Sequence, residues 1–440
     1  MSIARFPRPL PTAACLAAAF ALTHSQGHAA PAEISRSVAA NPHSPQDVVA
    51  NCDDSGPGSL RDTIASAVSG DTIDLTQLAC SGISLRSGVV EIHQDDLTLA
   101  GPGALLFSIS GNGTQQVFQH LGYGSLVIDG LTIAHGSFTD RSVAGGGCIY
   151  ARTSLTVSNS IVSNCEAYDT ISAYGGGIFA LNDLTIENSV ITGNRARAAH
   201  VASGGGLQVL GNLVVEYSTI SGNRVITANG AYEYGGGAHT FADVTIRHST
   251  INANSGGRIG GLFFETFLDT NTATIVESTV SGNSSNDGPF GGIWTTVPLN
   301  IYNSTIAFNT GTSSGGVYAM QAKLTLQSTI IADNVSTDVK LGGSATIDGA
   351  NNLIEVAAVV PADTIRDDPQ LAPLHANGGP TATHKLSATS PAIDTGSNPL
   401  ELDTDQRGTG FARISGAAPD IGAYESTIAA ETIFTSGFDP

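Results

Sequence analysis

Paired carboxylates are the first candidates for chemistry in this chain of 440 residues. Hydrolysis of a glycosidic bond needs two carboxyl groups about 5 to 9.5 Å apart. Adjacent pairs occur at Asp53-Asp54, Asp95-Asp96 and Asp367-Asp368. Neighbouring residues on an extended strand point to opposite faces, so adjacency alone does not bring two carboxylates together. We therefore predict no catalytic residue and favour binding over catalysis.

A second set of side chains recurs at one position of a repeated pattern. The set consists of Phe179, Gln208, His239, Phe263, Trp294 and Tyr318. Alternation along a strand places these side chains on one outer face, where flat rings in a row could stack on the sugars of a glycan. We predict ligand binding by Phe179, His239, Phe263, Trp294 and Tyr318. The alternative is that the rings stack on one another as a stabilising cross-strand ladder.

The repeated pattern is Gly-Gly-(Gly)-aliphatic, then an alternating strand such as Leu-Thr-Ile, then Ser-x-Ile-x-x-Asn. Residues 175–194, GGGIFALNDLTIENSVITGN, form one copy. The copies start 24 to 31 residues apart, which is long enough for three short strands and three turns. No segment has sustained helical periodicity. The repeat predicts an all-β fold, a right-handed parallel β-helix (solenoid), in which each coil buries its apolar side chains by stacking on its neighbours.

Two columns set the register of this stack. The inward column after the glycines is predicted to contain Cys148, Ile178, Leu207, Ala238, Leu262, Ile293 and Val317. The pattern ends in Asn194, Asn223, Asn254, Asn283, Asn309 and Asn334. Asn tolerates a left-handed backbone, and stacked carboxamides can bond from coil to coil. We interpret these asparagines as a structural ladder at a turn.

The loops that follow these asparagines differ in length. Nine residues separate Asn194 from the next glycines and eleven follow Asn223, against five after Asn254 and Asn309. Solenoids usually place binding loops where their length varies. This corner contains Arg195, Arg197, His200, Tyr232, Glu233 and Tyr234. The alternative is a solvated loop without a function.

The ends of the stack need covers, because their strand edges are unpaired. Ser59 and Asp62 have capping-box spacing, which predicts a short capping helix at the N-terminal end.

Arg5 and Arg8 precede an apolar run and small residues, as in a secretory signal peptide. The predicted divisions are a signal peptide at 1–30, a flexible linker at 31–46, an N-terminal cap with the first coils at 47–123, β-helix repeats at 124–354, an irregular C-terminal cap at 355–426 and a tail at 427–440.

Four cysteines follow the signal peptide, an even number in a chain sent to an oxidising compartment. Their proximity in sequence favours the disulfides Cys52–Cys80 and Cys148–Cys165. The alternative is four buried thiols.

The net charge of −20 limits the kinds of binding partner that we expect. Such a surface repels phosphate backbones, so we expect no nucleic-acid partner. Beyond the signal peptide no segment approaches the roughly 18 apolar residues of a spanning helix, and we expect a monomer without a transmembrane helix.

A group of C-terminal carboxylates is the one candidate for a metal site. The group is Asp394, Asp403, Asp405, Asp420 and Glu425. Carboxylate oxygens could bind Ca²⁺, although the spacing is not that of an EF-hand. The alternative is that these carboxylates cap turns and pair with Arg407 or Arg413. No other cofactor is predicted.

Motifs near both ends resemble known families. Residues 52–61, CDDSGPGSLR, resemble the motif with which secreted bacterial right-handed β-helix proteins begin. The segments SPAIDTG (390–396), TDQRG (404–408) and DIGAYE (420–425) resemble the choice-of-anchor Q family of surface-associated proteins. The repeats are also similar to those of polymorphic outer-membrane proteins, with an aliphatic residue in place of their phenylalanine.

The resemblance covers nearly all of the chain after the signal peptide. It implies a pectin lyase-like fold and an exported protein at the outer cell surface or outside the cell. Because the sequence contains no catalytic pattern, we predict an adhesin-like module that binds polysaccharide or a cell-surface protein. The alternative is a polysaccharide lyase or glycoside hydrolase of the same fold.

Overall fold

The computed structural model describes residues 46–140, 143–228, 232–266 and 270–427, all of which lie in the unit Ser44–Pro440. The predicted signal peptide, the linker before Gln46 and the tail after residue 427 lie outside the described residues.

Three long parallel sheets, A, B and C, form the faces of a β-helix, which confirms the predicted fold. Sheet A contains Gln46–Val48, Thr72–Asp74, Leu97–Ala100, Leu126–Asp129, Leu155–Ser158, Leu184–Glu187, Leu213–Glu216, Val244–Arg247, Ala273–Val276, Leu299–Tyr302, Lys323–Gln327 and Thr346–Ala350. Sheet B contains Gly82–Ser84, Ser108–Ser110, Thr132–Ala134, Ile161–Ser163, Val190–Thr192, Thr219–Ser221, Thr250–Asn252, Thr279–Ser281, Thr305–Ala307, Ile330–Ala332 and Leu353–Ile354. Sheet C contains Val90–Ile92, Phe118–His120, Ile149–Ala151, Ile178–Ala180, Leu207–Val209, Ala238–Thr240, Leu262–Phe264, Ile293–Thr295, Val317–Met320 and Val339–Gly342.

Two shorter parallel sheets, D and E, arise from the variable loops, and we call them together the fin. Sheet D contains Ser137–Asp140, Glu166–Asp169, Arg195–Ala198 and Arg224–Thr227. Sheet E contains Val143–Gly145, Ser172–Tyr174, Val201–Ser203 and Glu233–Tyr234. Small side chains such as Ala167, Ala173, Ala196 and Ala202 fill the space between the two sheets. The longest of the inter-coil loops thus form a layer of regular structure.

The inward column of sheet C differs by one residue from the predicted one at its first member. Ile149, not Cys148, pairs with Ile178, and both are fully buried. Cys148 takes the place that Gly177 has one coil later, where an added Cβ would meet Asn194 Cγ at 3.0 Å. Cys148 avoids that clash because its partner is not Asn but Cys165, to which it is disulfide-bonded.

The asparagines form a continuous ladder of carboxamides. From Asn194 to Asn309, each Nδ2 donates to Oδ1 of the next asparagine at 2.8 to 3.0 Å. The predicted left-handed backbone is wrong for these residues. Positive φ angles occur instead one residue earlier, at Gly193, Gly222, Ala253, Gly282, Phe308 and Asp333. The preceding residue makes the turn, which leaves the Asn side chain directed along the stack.

Serine side chains form a second ladder, at the turn between sheets A and B. Its members are Ser160, Ser189, Ser218, Ser249, Ser278 and Ser304. From Ser189 to Ser304, each Oγ accepts the main-chain N–H of the serine one coil earlier at 3.0 to 3.1 Å, and Ser160 Oγ accepts the N–H of Leu131. The Ser of the repeat pattern therefore has a structural role that the pattern alone did not reveal.

A short helix, Leu60–Ser66, covers the N-terminal end, as predicted. The side chain of Ser59 accepts the N–H of Asp62 at 3.3 Å, and Leu60 and Ile64 join the main core. No helix among the described residues is long and apolar enough to cross a bilayer.

The C-terminal segment lies mostly beside the coils. The outward hydroxyls of Thr250, Thr279 and Thr305 on sheet B bond Ala382, Gln406 and Ala423 respectively, at 2.6 to 3.1 Å. The expectation that residues 355–426 close the end of the stack is therefore wrong for the stretch that contains Ala382, Gln406 and Ala423, which lies against the outer face of sheet B. The outward threonine hydroxyls of sheet B give the segment hydrogen-bond partners on several successive coils.

Both predicted disulfides, Cys52–Cys80 and Cys148–Cys165, are confirmed.

Candidate functional site

The fin covers the predicted aromatic column on sheet C from Phe179 to Phe263. Tyr174 of sheet E lies over Phe179, with ring centroids 6.1 Å apart, and Tyr234 stacks on Phe263 at 5.6 Å. Phe179, His239 and Phe263 are consequently only 6%, 5% and 4% exposed. They lie outside the coil, as alternation predicts, but a ligand cannot reach most of their surface in this structure.

Trp294 and Tyr318 lie beyond the fin and stay half-buried. Trp294 stacks on Phe263 with centroids 4.7 Å apart, and Tyr318 stacks on Phe290 at 4.4 Å with an interplanar angle of 4°. The guanidinium of Arg258 is 5.5 Å from the Trp294 ring centroid. We call Trp294 and Tyr318 the platform, because both side chains remain partly exposed on the outer face of sheet C.

A cleft of about 270 Å³ opens where the fin meets the first coils of sheet C. Its lining consists of Gln116, Gln119, Phe138, Gly145, Tyr150 and Phe179. Gln119 and Tyr150 are outward residues of neighbouring strands, paired in register, and Phe179 follows on the next strand. Three aromatic rings and two carboxamides thus converge on one concavity.

Local packing fixes the shape of the cleft. An added Cβ at Gly145 would meet the Phe179 ring at 2.2 Å, so glycine allows sheet E to approach sheet C there. Gln116 Nε2 donates to Gly145 O at 3.1 Å, which orients that carboxamide. The Gln119 carboxamide has no hydrogen-bond partner among the described residues. Burial raises the pKa of Tyr150, so its hydroxyl remains a hydrogen-bond donor at neutral pH.

The sequence pattern missed two members of this cleft. Tyr150 was missed because assigning Cys148 to the inward column shifted that coil by one residue. Moving Ile149 into the column would have aligned Tyr150 with Phe179. Gln119 precedes the first recognisable glycine start, so no repeat signal marked it.

A serine, a histidine and a glutamate lie together where sheet E of the fin meets sheet C. Ser203 Oγ contacts Nδ1 of His239, and Nε2 of His239 is 3.3 Å from Glu265 Oε2. Burial lowers the pKa of His239, against the opposing effect of Glu265. Ser203 is 1% exposed and also contacts Gln208, so no substrate reaches its hydroxyl in this structure. The arrangement is a buried hydrogen-bond network that joins sheet E to sheet C.

Four of the five C-terminal carboxylates proposed as calcium ligands have partners within the protein, and the fifth, Asp403, is exposed. Asp405 is paired with Arg407, whose Nε is 2.9 Å from Oδ2, and Glu425 is 2.8 Å from Arg413 Nη2. Asp394 accepts the N–H of Ala417 at 2.7 Å. The described residues contain no group of three or more His, Cys, Asp or Glu side chains arranged to hold a metal. The geometry is that of turn caps and ion pairs.

Glu277 is the most perturbed of the groups beneath this segment. Its side chain is fully buried, 3.7 Å from Arg413 Nη1 and 3.4 Å from His248 Nδ1. Burial raises the pKa of Glu277 to about 8, although Arg413 acts in the opposite direction. This carboxyl belongs to the contact between the C-terminal segment and the coils and does not face solvent.

Comparison with known proteins adds one structural similarity. No protein-family model matches the chain, and no curated protein matches it. Among solved structures, the pectate lyase Pel9A is similar with a TM-score of 0.47 and 13% identity, over 87% of this chain and 97% of the pectate lyase chain. At this level the similarity says nothing about activity.

Proposed function

We propose that this protein binds carbohydrate, with one sugar unit in the cleft between the fin and sheet C. The observation that supports this most is the convergence of Phe138, Tyr150 and Phe179 with the carboxamides of Gln116 and Gln119. Aromatic rings stack on the apolar faces of sugar rings, and the Gln119 carboxamide can both donate to and accept from hydroxyls. Gln116 Nε2 already donates to Gly145 O and Gly146 O, so this carboxamide offers its oxygen as an acceptor. The volume lies near the lower end of the range for small-ligand sites, which suits one ring.

The platform provides a second contact on the same face. Trp294 lies five strands from Tyr150 in sheet C, about 24 Å at roughly 4.8 Å per strand. A longer glycan that passes beside the fin would reach both openings. The sequence predicted instead that Phe179, His239, Phe263, Trp294 and Tyr318 all lie open on one outer column.

Titration of the wild-type protein with neutral oligosaccharides tests this function by calorimetry. Tyr150→Ala and Gln119→Ala should each weaken binding about tenfold, since a lost ring contact or hydrogen bond costs on the order of 1 kcal/mol. Tyr123→Ala is the matched control, because Tyr123 is 74% exposed and does not line the cleft. Binding that survives both cleft substitutions, with folding verified by circular dichroism, would refute the proposal.

Location and family remain part of this proposal. We propose that the protein is exported as a monomer and acts as an adhesin-like module at the outer surface or outside the cell. The two disulfides are consistent with an oxidising compartment. The end motifs support membership of the choice-of-anchor Q family, and detection of the native protein in a surface fraction would test the location.

Cleavage of the bound polysaccharide is the alternative function. Incubation of the protein with pectate and alginate, followed by assays for unsaturated products and new reducing ends, tests it directly. We expect neither product, because the cleft lining contains no carboxylate and no basic side chain.

A further inference from the structure

The outer face of sheet D concentrates positive charge on an acidic protein. The outward side chains of its last three strands are Glu166, Tyr168, Arg195, Arg197, Arg224 and Ile226. Three of the chain's 18 basic residues therefore lie on a few square nanometres of sheet, with a single carboxylate beside them. We call this surface the arginine face.

Two of these arginines are held in fixed positions. Arg195 Nη2 lies 2.8 Å from Glu166 Oε2, and Arg197 Nε lies 2.9 Å from Oε1 of the same carboxylate. The Arg197 guanidinium also lies 4.2 Å from the centroid of the Tyr168 ring. Both side chains remain nearly half exposed, so their other N–H groups face solvent. Because Arg195 and Arg197 are already held in place, they would lose little side-chain conformational entropy when an anion binds.

The third arginine has no such partner. Arg224 is exposed and pairs with Arg195 across neighbouring strands, about 4.8 Å apart. Its guanidinium makes no ion pair within the described residues. Guanidinium groups bind carboxylates through paired N–H donors, so Arg224 beside Arg195 forms an open anion site.

The strand position occupied by Arg195 and Arg224 continues along the axis of the coils with residues that carry hydroxyl groups. Parallel bridges continue it from Arg224 to Ser255, Ser284 and Thr310, and none of these three is fully buried. A row of cations followed by hydroxyls at one regular spacing matches a linear chain that has both carboxylates and hydroxyls.

We infer that the arginine face binds a linear acidic polysaccharide whose carboxylates pair with Arg195, Arg197 and Arg224. A nucleic acid fits this surface less well. Duplex DNA has one charge per roughly 1.7 Å, and the net charge of −20 repels so dense a polyanion. A polysaccharide with about one carboxylate per sugar meets far less repulsion. This inference is independent of the cleft, because the arginines lie on the outer side of sheet D, whereas Phe138 lines the cleft from the opposite side of that sheet.

The test uses alginate as the acidic polymer and its propylene glycol ester as the uncharged counterpart. Biolayer interferometry should show that wild-type protein binds alginate, that the ester binds at least tenfold more weakly, and that added salt weakens alginate binding. The double variant Arg195→Gln and Arg224→Gln should lose at least tenfold in affinity. The matched control, Arg86→Gln with Lys385→Gln, removes two exposed cations elsewhere and should bind as the wild type does.

Two further results would overturn the inference. One is equal loss of affinity in the arginine-face variant and the control, which would show that net charge alone governs binding. The other is binding to duplex DNA that exceeds binding to alginate. Tyr150→Ala separates this surface from the cleft. It should keep alginate affinity, and loss of alginate binding in Tyr150→Ala but not in the arginine variant would refute the arginine face and leave the cleft proposal standing.

Discussion

Replacing Asn254 by alanine should destabilise the β-helix by about 4 kcal/mol. The Asn254 side chain makes four hydrogen bonds of 2.9 to 3.0 Å: Nδ2 donates to Ile220 O and Asn283 Oδ1, while Oδ1 accepts the N–H and Nδ2 of Asn223. Each bond contributes a net of about 1 kcal/mol. The side chain is fully buried, so water cannot replace the lost partners.

Urea unfolding followed by the emission of Trp294, the single tryptophan, measures this loss. Asn182→Ala is the control, because Asn182 is exposed and lies outside the ladder; we expect a change within about 0.5 kcal/mol. Hydrogen exchange adds a local readout. The N–H of Asn223, which loses its acceptor, should exchange faster in Asn254→Ala, while the N–H of Asn309 should be unaffected. Equal stability of the two variants would show that the ladder contributes nothing to folding.

Three further predictions concern the disulfide, the buried acid and metal ions. The double variant Cys148→Gly with Cys165→Asn should be more stable than Cys148→Ser with Cys165→Ser by about 1 to 3 kcal/mol, because it can form the glycine–asparagine contact seen between Gly177 and Asn194. Chemical unfolding of the two variants, both of which lack the Cys148–Cys165 disulfide, compares their stabilities. Equal stability would count against this replacement. Glu277 has a folded pKa of about 8, above its unfolded value, so the folded state holds an extra proton between pH about 4.5 and 8. The protein should therefore lose stability as pH rises through that window, by about 1.4 kcal/mol per pH unit. Glu277→Gln should remove this slope in urea unfolding measured at several pH values, and an unchanged slope would assign it to other groups. EDTA should leave the melting temperature unchanged, since Asp405 and Glu425 already bond arginines and Asp394 accepts a main-chain N–H, whereas a drop reversed by Ca²⁺ would establish a structural metal site.

The fold was predictable because its periodicity is explicit in the sequence. Glycine starts, aliphatic columns and asparagines recur, and each coil depends on its neighbours, so one register explains most strands. The exception at Cys148 has a physical cause. A disulfide replaces the glycine–asparagine contact of the later coils, and the pattern that located the register is absent where the disulfide is present.

The path of the C-terminal segment was not predictable in the same way. Its contacts join residues more than 100 positions apart, such as Thr250 with Ala382 and Thr279 with Gln406. No local periodicity encodes such pairs. The hydroxyls on sheet B looked like ordinary solvent-facing residues, because a threonine that faces water and one that binds a distant segment occupy the same place in an alternating strand.

The candidate site depends on the fin, which explains why repeated residues alone located it only in part. Variable loop length was recognised as a possible sign of function, but the sequence did not show that these loops would pair into two sheets. Once formed, sheet E covers Phe179, His239 and Phe263, and the same layer creates a cleft where its first strand meets Tyr150. Sheet D in turn presents arginines that would otherwise lie on separate loops. Insertions at one corner therefore do more than lengthen the coils. They bury part of a surface that the repeat would leave open, and they generate a concave site and a charged face that the repeat does not contain.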